Sequence, residues 1–233
     1  MRPIRSQHGF TLIEIAIVLV IIGLLLGGIL KGQELITSAR VRNLISQQDG
    51  IKAAFYGFQD RYRALPGDYQ SASQNLGGAG AAQNGNGNGR IQDAAAGGAG
   101  AIDEQNLVWD HLTRAGFLNG NFTYAAGAPT DASTPKNPYG QYIQLIYDGV
   151  YFSTASATPP QRHNLKTGPQ IPVEIAAEVD RKTDDGNAGS GSFVFSAFAG
   201  TGTAPSRTAC STDVGVWVLQ GSTDVNCGGA TLL

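Results

Sequence analysis

The feature that most constrains this chain is an apolar run near its start with a single carboxylate inside it. Residues 10–30 read FTLIEIAIVLVIIGLLLGGIL and follow the short basic stretch MRPIRSQHG. Some twenty apolar residues, at ~1.5 Å of rise each, make a helix long enough to cross a bilayer. Glu14 sits one turn into that run. An ionised side chain in hydrocarbon costs ~2.5–3.5 kcal/mol or more, so an acid there points to a function. Between Ile4 and Leu30 the sole Lys or Arg is Arg5, which lies outside the apolar run. A cut after Gly9 would supply a cation, because Phe10 would then carry an α-ammonium four residues before Glu14. The carboxylate can pair with that ammonium in its own chain or in a neighbouring chain, and only the second pairing fixes a register between copies. Such a pair need not add net stability. A lone buried charge is strongly disfavoured, however, so the register is enforced.

The basic leader, the hexapeptide Gly9-Phe10-Thr11-Leu12-Ile13-Glu14 and the apolar helix behind it resemble the processing site of type IV pilins and of the pseudopilins of type II secretion. The resemblance covers residues 1 to about 55. It implies that a membrane prepilin peptidase cuts between Gly9 and Phe10, that Phe10 is then methylated, and that Glu14 supports assembly. It also implies partners: other copies of the chain, minor pilins or pseudopilins, an inner-membrane assembly platform, and membrane lipid before assembly. Two plainer readings compete. An ordinary signal peptide has a shorter apolar core followed by an Ala-x-Ala-like site, whereas this core is long and followed by Lys31. A plain single-pass anchor leaves Glu14 unexplained.

The expected organisation is a leader at 1–9, a membrane-spanning or filament-core helix at 10–30, an amphipathic continuation at 31–65 and a head domain at 66–233. Leu44, Ile51, Phe55, Phe58, Tyr62 and Leu65 recur at three-, four- and seven-residue steps, which places them on one helical face. Gln47, Gln48, Asp49, Lys52 and Asp60 read as the solvated side. Pro66 and Gly67 predict that the helix stops near Leu65. Gly27, Gly28 and Gly32 each cost ~1 kcal/mol relative to Ala inside a helix. They either weaken the helix locally or permit close packing between helices.

The basic leader places the N-terminus in the cytoplasm and the head outside, where disulfides persist. The two cysteines, Cys210 and Cys227, are therefore expected to be bridged, with two free thiols as the rival reading. The formal net charge is −2, and loss of Arg2 and Arg5 with the leader makes it −4. So mild an acidity gives no general field for nucleic acid, and no specific nucleic-acid partner is predicted.

Residues 76–101 are almost wholly Gly, Ala, Asn and Gln and read as loop. Within them, Asn84-Gly85-Asn86-Gly87-Asn88-Gly89-Arg90-Ile91 is similar to a calcium loop of the EF-hand or dockerin type. Alternate oxygen-bearing side chains suit a hard cation, and the candidate Ca2+ ligands are Asn84, Asn86, Asn88 and Asp93, with Asp103 or Glu104 the other acids that could supply a carboxylate by folding back. Ala95 occupies the place of a bidentate Glu, and the other reading is a flexible, turn-rich loop.

A short helix is expected over 103–116, capped by Asp103 and ended by Gly116. Asp148-Gly149 signals a hairpin between strands at 142–147 and 150–152. A second helix is expected over 172–182. Strands are expected at 192–199 and 214–219, and the tail from Gly221 is held only through a bridged Cys227. The sum is an α+β fold, a long N-terminal helix packed on an antiparallel sheet, as the pilin resemblance implies. His8, His111 and His163 sit in no nucleophile or metal motif, and no Gly-x-Ser-x-Gly occurs. The chain is therefore read as a structural subunit and not as an enzyme. The other class that stays open is a monomeric, membrane-anchored binding module dependent on calcium.

Overall fold

The computed structural model describes residues 12–78, 80, 82–94, 102–219 and 226–233. The chain divides into two compact units, Met1–Arg40 and Val41–Leu233. Helix α1, Leu12–Tyr62, enters the first and ends in the second.

In the first unit the described residues 12–40 are helical, and nearly every side chain is exposed. In the second unit α1 becomes a core element. Val41, Leu44, Ile51, Ala54, Phe55 and Phe58 are buried, as the three- and four-residue spacing requires. One expectation fails. Gln48, read as solvated, is 4% exposed, because it sits four residues after Leu44 and three before Ile51 on the same stripe. The Thr231 hydroxyl donates to its Oε1 at 3.1 Å. The helix stops at Tyr62, three residues before the expected end. Arg63 takes a left-handed φ of 54° while its N–H still donates to Gln59 O at 2.9 Å.

After α1 come α2 (Ala72–Asn75), α3 (Glu104–Arg114), β1 (Gln144–Asp148), β2 (Arg162–Lys166), α4 (Val173–Thr183), β3 (Phe193–Phe195), α5 (Arg207–Cys210) and β4 (Gly229–Leu232). The four strands form one antiparallel sheet in the order β1-β2-β4-β3. This is the α+β, pilin-like layout. Two apolar clusters fill the second unit. One joins Val41 and Leu44 to α4, β3, Trp217 and the cysteines. The other joins Ile51, Phe55 and Phe58 to α3, β1 and Leu165 of β2.

The expected hairpin at Asp148-Gly149 does not form. The Asp148 side chain is engaged within the sheet, accepting from Lys166 Nζ at 2.5 Å and Asn164 Nδ2 at 2.9 Å. The chain then leaves the sheet, and Phe152 N–H donates to Phe195 O at 2.9 Å. Residues 214–219 are not a strand either; Trp217 forms only a single bridge with Ser211. The largest departure is the C-terminus. Residues 229–232 are an inner strand, paired with β2 on one side and β3 on the other. Glycine is required at 229, because a Cβ there would stand 2.2 Å from the Phe193 ring.

Candidate functional site

Gly9 and Phe10 lie outside the described residues. Glu14 falls in the first described turn of α1 and is exposed. Around it the most apolar 18-residue window of α1 has a mean hydropathy of 2.9 and no buried share. Leu12, Leu19, Leu24 and Leu30 are each more than half exposed. An apolar surface that extensive marks a face for lipid or for other helices. Gly27, Gly28 and Gly32 have open space where a Cβ would stand, so no packing within this chain demands them.

The Asn-Gly loop is built around two carboxylates. Asp68 and Glu104 are 5% and 1% exposed. Backbone N–H groups close on them: Asn88 donates to Asp68 Oδ1 at 2.9 Å and Gly89 to Oδ2 at 2.8 Å. Asn86 donates to Glu104 Oε1 at 2.9 Å and Gln92 to Oε2 at 3.2 Å. The N–H groups of Gly85 and Gly87 donate to the carbonyls of Tyr69 and Asp68, each at 3.0 Å. A Cβ on Gly85 would come within 2.4 Å of the Asp68 backbone, so only glycine permits this approach.

The Asn side chains hold the turns. Asn84 Oδ1 accepts from Ser73 N–H, Asn86 Oδ1 from Asn88 N–H, and Asn88 Oδ1 from Arg90 N–H, at 2.8, 2.9 and 2.8 Å. Asp93 lines another cleft, with Asp103, Gln105 and Asn106. The groups that point inward from residues 85–92 are therefore donors, and their centre is anionic, a nest of the kind that binds anions. Burial pushes Glu104 up to about 7 against the pull of the Asn86 and Gln92 N–H groups, and the Asp68 charge adds to the rise. Burial also raises Asp68, against the N–H groups of Gly89, Asn88 and Gly87. Asparagine at 84, 86 and 88 makes the turns without placing further like charge beside this pair.

His111 supports the same loop from below. Its Nδ1 accepts from Gly67 N–H and its Nε2 meets Gln83 O, both at 2.9 Å. Burial lowers it to about 4, which keeps the ring neutral and structural. Asp103 stands at the start of α3 without a side-chain cap; its Oδ2 accepts instead from Gly127 N–H at 3.0 Å.

Cys210 and Cys227 are bridged, with Cα atoms 5.8 Å apart. Cys227 also exchanges two backbone hydrogen bonds with Ile171, which fixes the chain just ahead of β4. Trp217, inside the disulfide loop, donates Nε1–H to Asp180 Oδ2 at 2.7 Å and so ties the loop to α4. Asp180, Asp184 and Asp185 place one carboxylate oxygen each within 4.8 Å of one another, a grouping that can hold a metal ion. Asp184 and Asp185 follow the end of α4, and Asp180 stands one helical turn before them. Each already accepts protein donors: Asp180 from Trp217 and Gly186, Asp184 from Ser192 and Phe193, and Asp185 from Asn187 and Ser190.

Residues 4–30 match the prokaryotic N-terminal methylation motif, the signature of type IV pilin and pseudopilin precursors. No curated protein and no solved structure matches the chain.

Proposed function

We infer that this chain, carrying a prepilin-type methylation motif on an apolar helix, is a structural subunit cut after Gly9 and assembled into a type IV pilus or pilus-like filament. The motif at residues 4–30 carries the reading. The unburied apolar window of α1 supports it, since that surface suits lipid before assembly and neighbouring helices afterwards. In this account prepilin peptidase and an inner-membrane assembly platform act on residues 1–30, and Phe10 becomes the methylated N-terminus. Glu14 meets the ammonium of a neighbouring copy and sets the stagger between subunits. The head, held by its own core and disulfide, faces the periplasm or the outside. Pseudopilins of type II secretion share the motif; the large, loop-rich head favours a pilus.

Replacing Glu14 with Ala tests the reading. Cleavage after Gly9 continues, because the peptidase acts on the membrane-inserted monomer, while filaments fall at least about tenfold, the loss of one buried charge pairing of ~1.4 kcal/mol or more. Normal filament yield from a cleaved Glu14→Ala chain would remove the assembly role of Glu14.

A further inference from the structure

The sequence places glycine directly after asparagine at four points: Asn84-Gly85, Asn86-Gly87, Asn88-Gly89 and Asn119-Gly120. Asparagine is a thermolabile residue, and a following glycine leaves its amide nitrogen unshielded by any side chain. That nitrogen can lose its proton to base and attack the asparagine Cγ. A C–N bond forms, ammonia departs carrying a proton, and a five-membered imide remains. Water then opens the imide at either carbonyl, giving aspartate or isoaspartate. Each event converts a neutral amide into one negative charge.

All four asparagines are exposed, so access to water does not separate them. Hydrogen bonding does. The attacking nitrogens of Gly85, Gly87 and Gly89 each donate to Tyr69 O, Asp68 O or Asp68 Oδ2, at 3.0, 3.0 and 2.8 Å. The Asn84, Asn86 and Asn88 amides are themselves held by backbone N–H groups. An N–H engaged this way must break its bond, and its side chain must leave its turn, before the ring can close. Gly120 N–H and the Asn119 side chain have no hydrogen-bond partner among the described residues. Gly120 follows the close of α3 with φ at +132°, a conformation that L side chains rarely adopt.

We propose that Asn119 is the site at which this protein hydrolyses its own amide, and that the Asp68–Tyr69 clamp shields the three identical pairs at 84–89. The shielding has an evident use. An aspartate at 84, 86 or 88 would stand beside two buried carboxylates, whereas one at 119 lies on open surface. The proposal does not depend on the filament reading.

The test is peptide mapping by mass spectrometry of the full chain in detergent micelles, incubated at mildly alkaline pH. A parallel sample is incubated in concentrated guanidinium. In the folded chain Asn119 gains one mass unit about tenfold faster, or more, than Asn84, Asn86 and Asn88, the ratio reflecting the local opening those three require. In guanidinium the four rates converge. Asn119→Gln removes the fast phase and leaves the other three unchanged. Equal rates at all four sites in the folded chain, or faster conversion at 84–88 than at 119, would overturn the proposal.

Discussion

Residues 12–40 and 41–62 belong to one helix and live by opposite rules. The first stretch shows its leucines and isoleucines on every side, while the second hides Leu44, Ile51, Phe55 and Phe58 on one face and shows Asp49, Tyr56 and Asp60 on the other. Backbone geometry is common to both. What differs is the angular spread of apolar side chains, and that spread sets the partner. A stripe is satisfied by one protein core; an all-round apolar surface needs a surrounding phase or a ring of neighbours. A single helix can thus belong to a folded head at one end and to lipid or filament at the other.

The comparison breaks most readily at Phe58, which is fully buried against α3 and Tyr62. Phe58→Ala is expected to destabilise the head by ~3–5 kcal/mol. Leu19→Ala, in the exposed apolar stretch, is expected to leave the melting temperature of the head unchanged. Melting curves in detergent micelles measure both. A comparable loss from Leu19→Ala would mean that the first stretch is part of the folding unit.

The buried ionisable groups of the head sharpen the same contrast. The folded-state pKa of Glu104 is raised from 4.5 to about 7, so its neutral form is the one the fold favours. Its contribution is therefore fully present below pH 4.5 and is lost as pH rises toward 7. Asp180, raised to about 6 by burial, acts in the same direction. His111, lowered to about 4, acts oppositely and withdraws stability as pH falls below 6.5. Comparing wild type with Glu104→Gln cancels the other two groups. The difference in melting temperature is expected to move in favour of the Gln variant between pH 4.5 and 7.5, by several degrees. A pH-independent difference would contradict the burial of an ionisable Glu104.

The smallest expected effect concerns calcium. With N–H donors closing on Asp68 and Glu104, millimolar calcium is expected to leave the melting temperature of the head where it was. A clear upward shift would restore Asn84, Asn86, Asn88 and Asp93 as a ligand set, or assign the ion to Asp180, Asp184 and Asp185.

Much of this was legible because it is local. Gly9 through Glu14 and the run behind them form a contiguous motif, the stripe from Leu44 to Phe58 follows helical spacing, and two cysteines leave one pairing. What was not legible depends on contacts distant in sequence. The central strand 229–232 reads Gly-Ala-Thr-Leu, with weak strand propensity and no long alternation; it is made by pairing with residues sixty and thirty-odd positions earlier. Gln48 reads as polar and therefore outside until Thr231 is brought against it. Asn-Gly alternation suggests outward turns or inward oxygens. Only the return of Asp68 and Glu104 to the loop reveals that its N–H groups face in.

The central claim is that residues 1–9 are removed and the rest is built into a filament. Shearing surface filaments from the native cells and measuring the intact mass of their subunits tests it most directly. The account predicts a species spanning residues 10–233, heavier by one methyl group on Phe10 and lighter by the two hydrogens of the Cys210–Cys227 bridge. A chain cut after Gly9 but confined to the membrane fraction would point to a pseudopilin or minor subunit. A chain that keeps Met1–Gly9, or is cut elsewhere, would contradict the account.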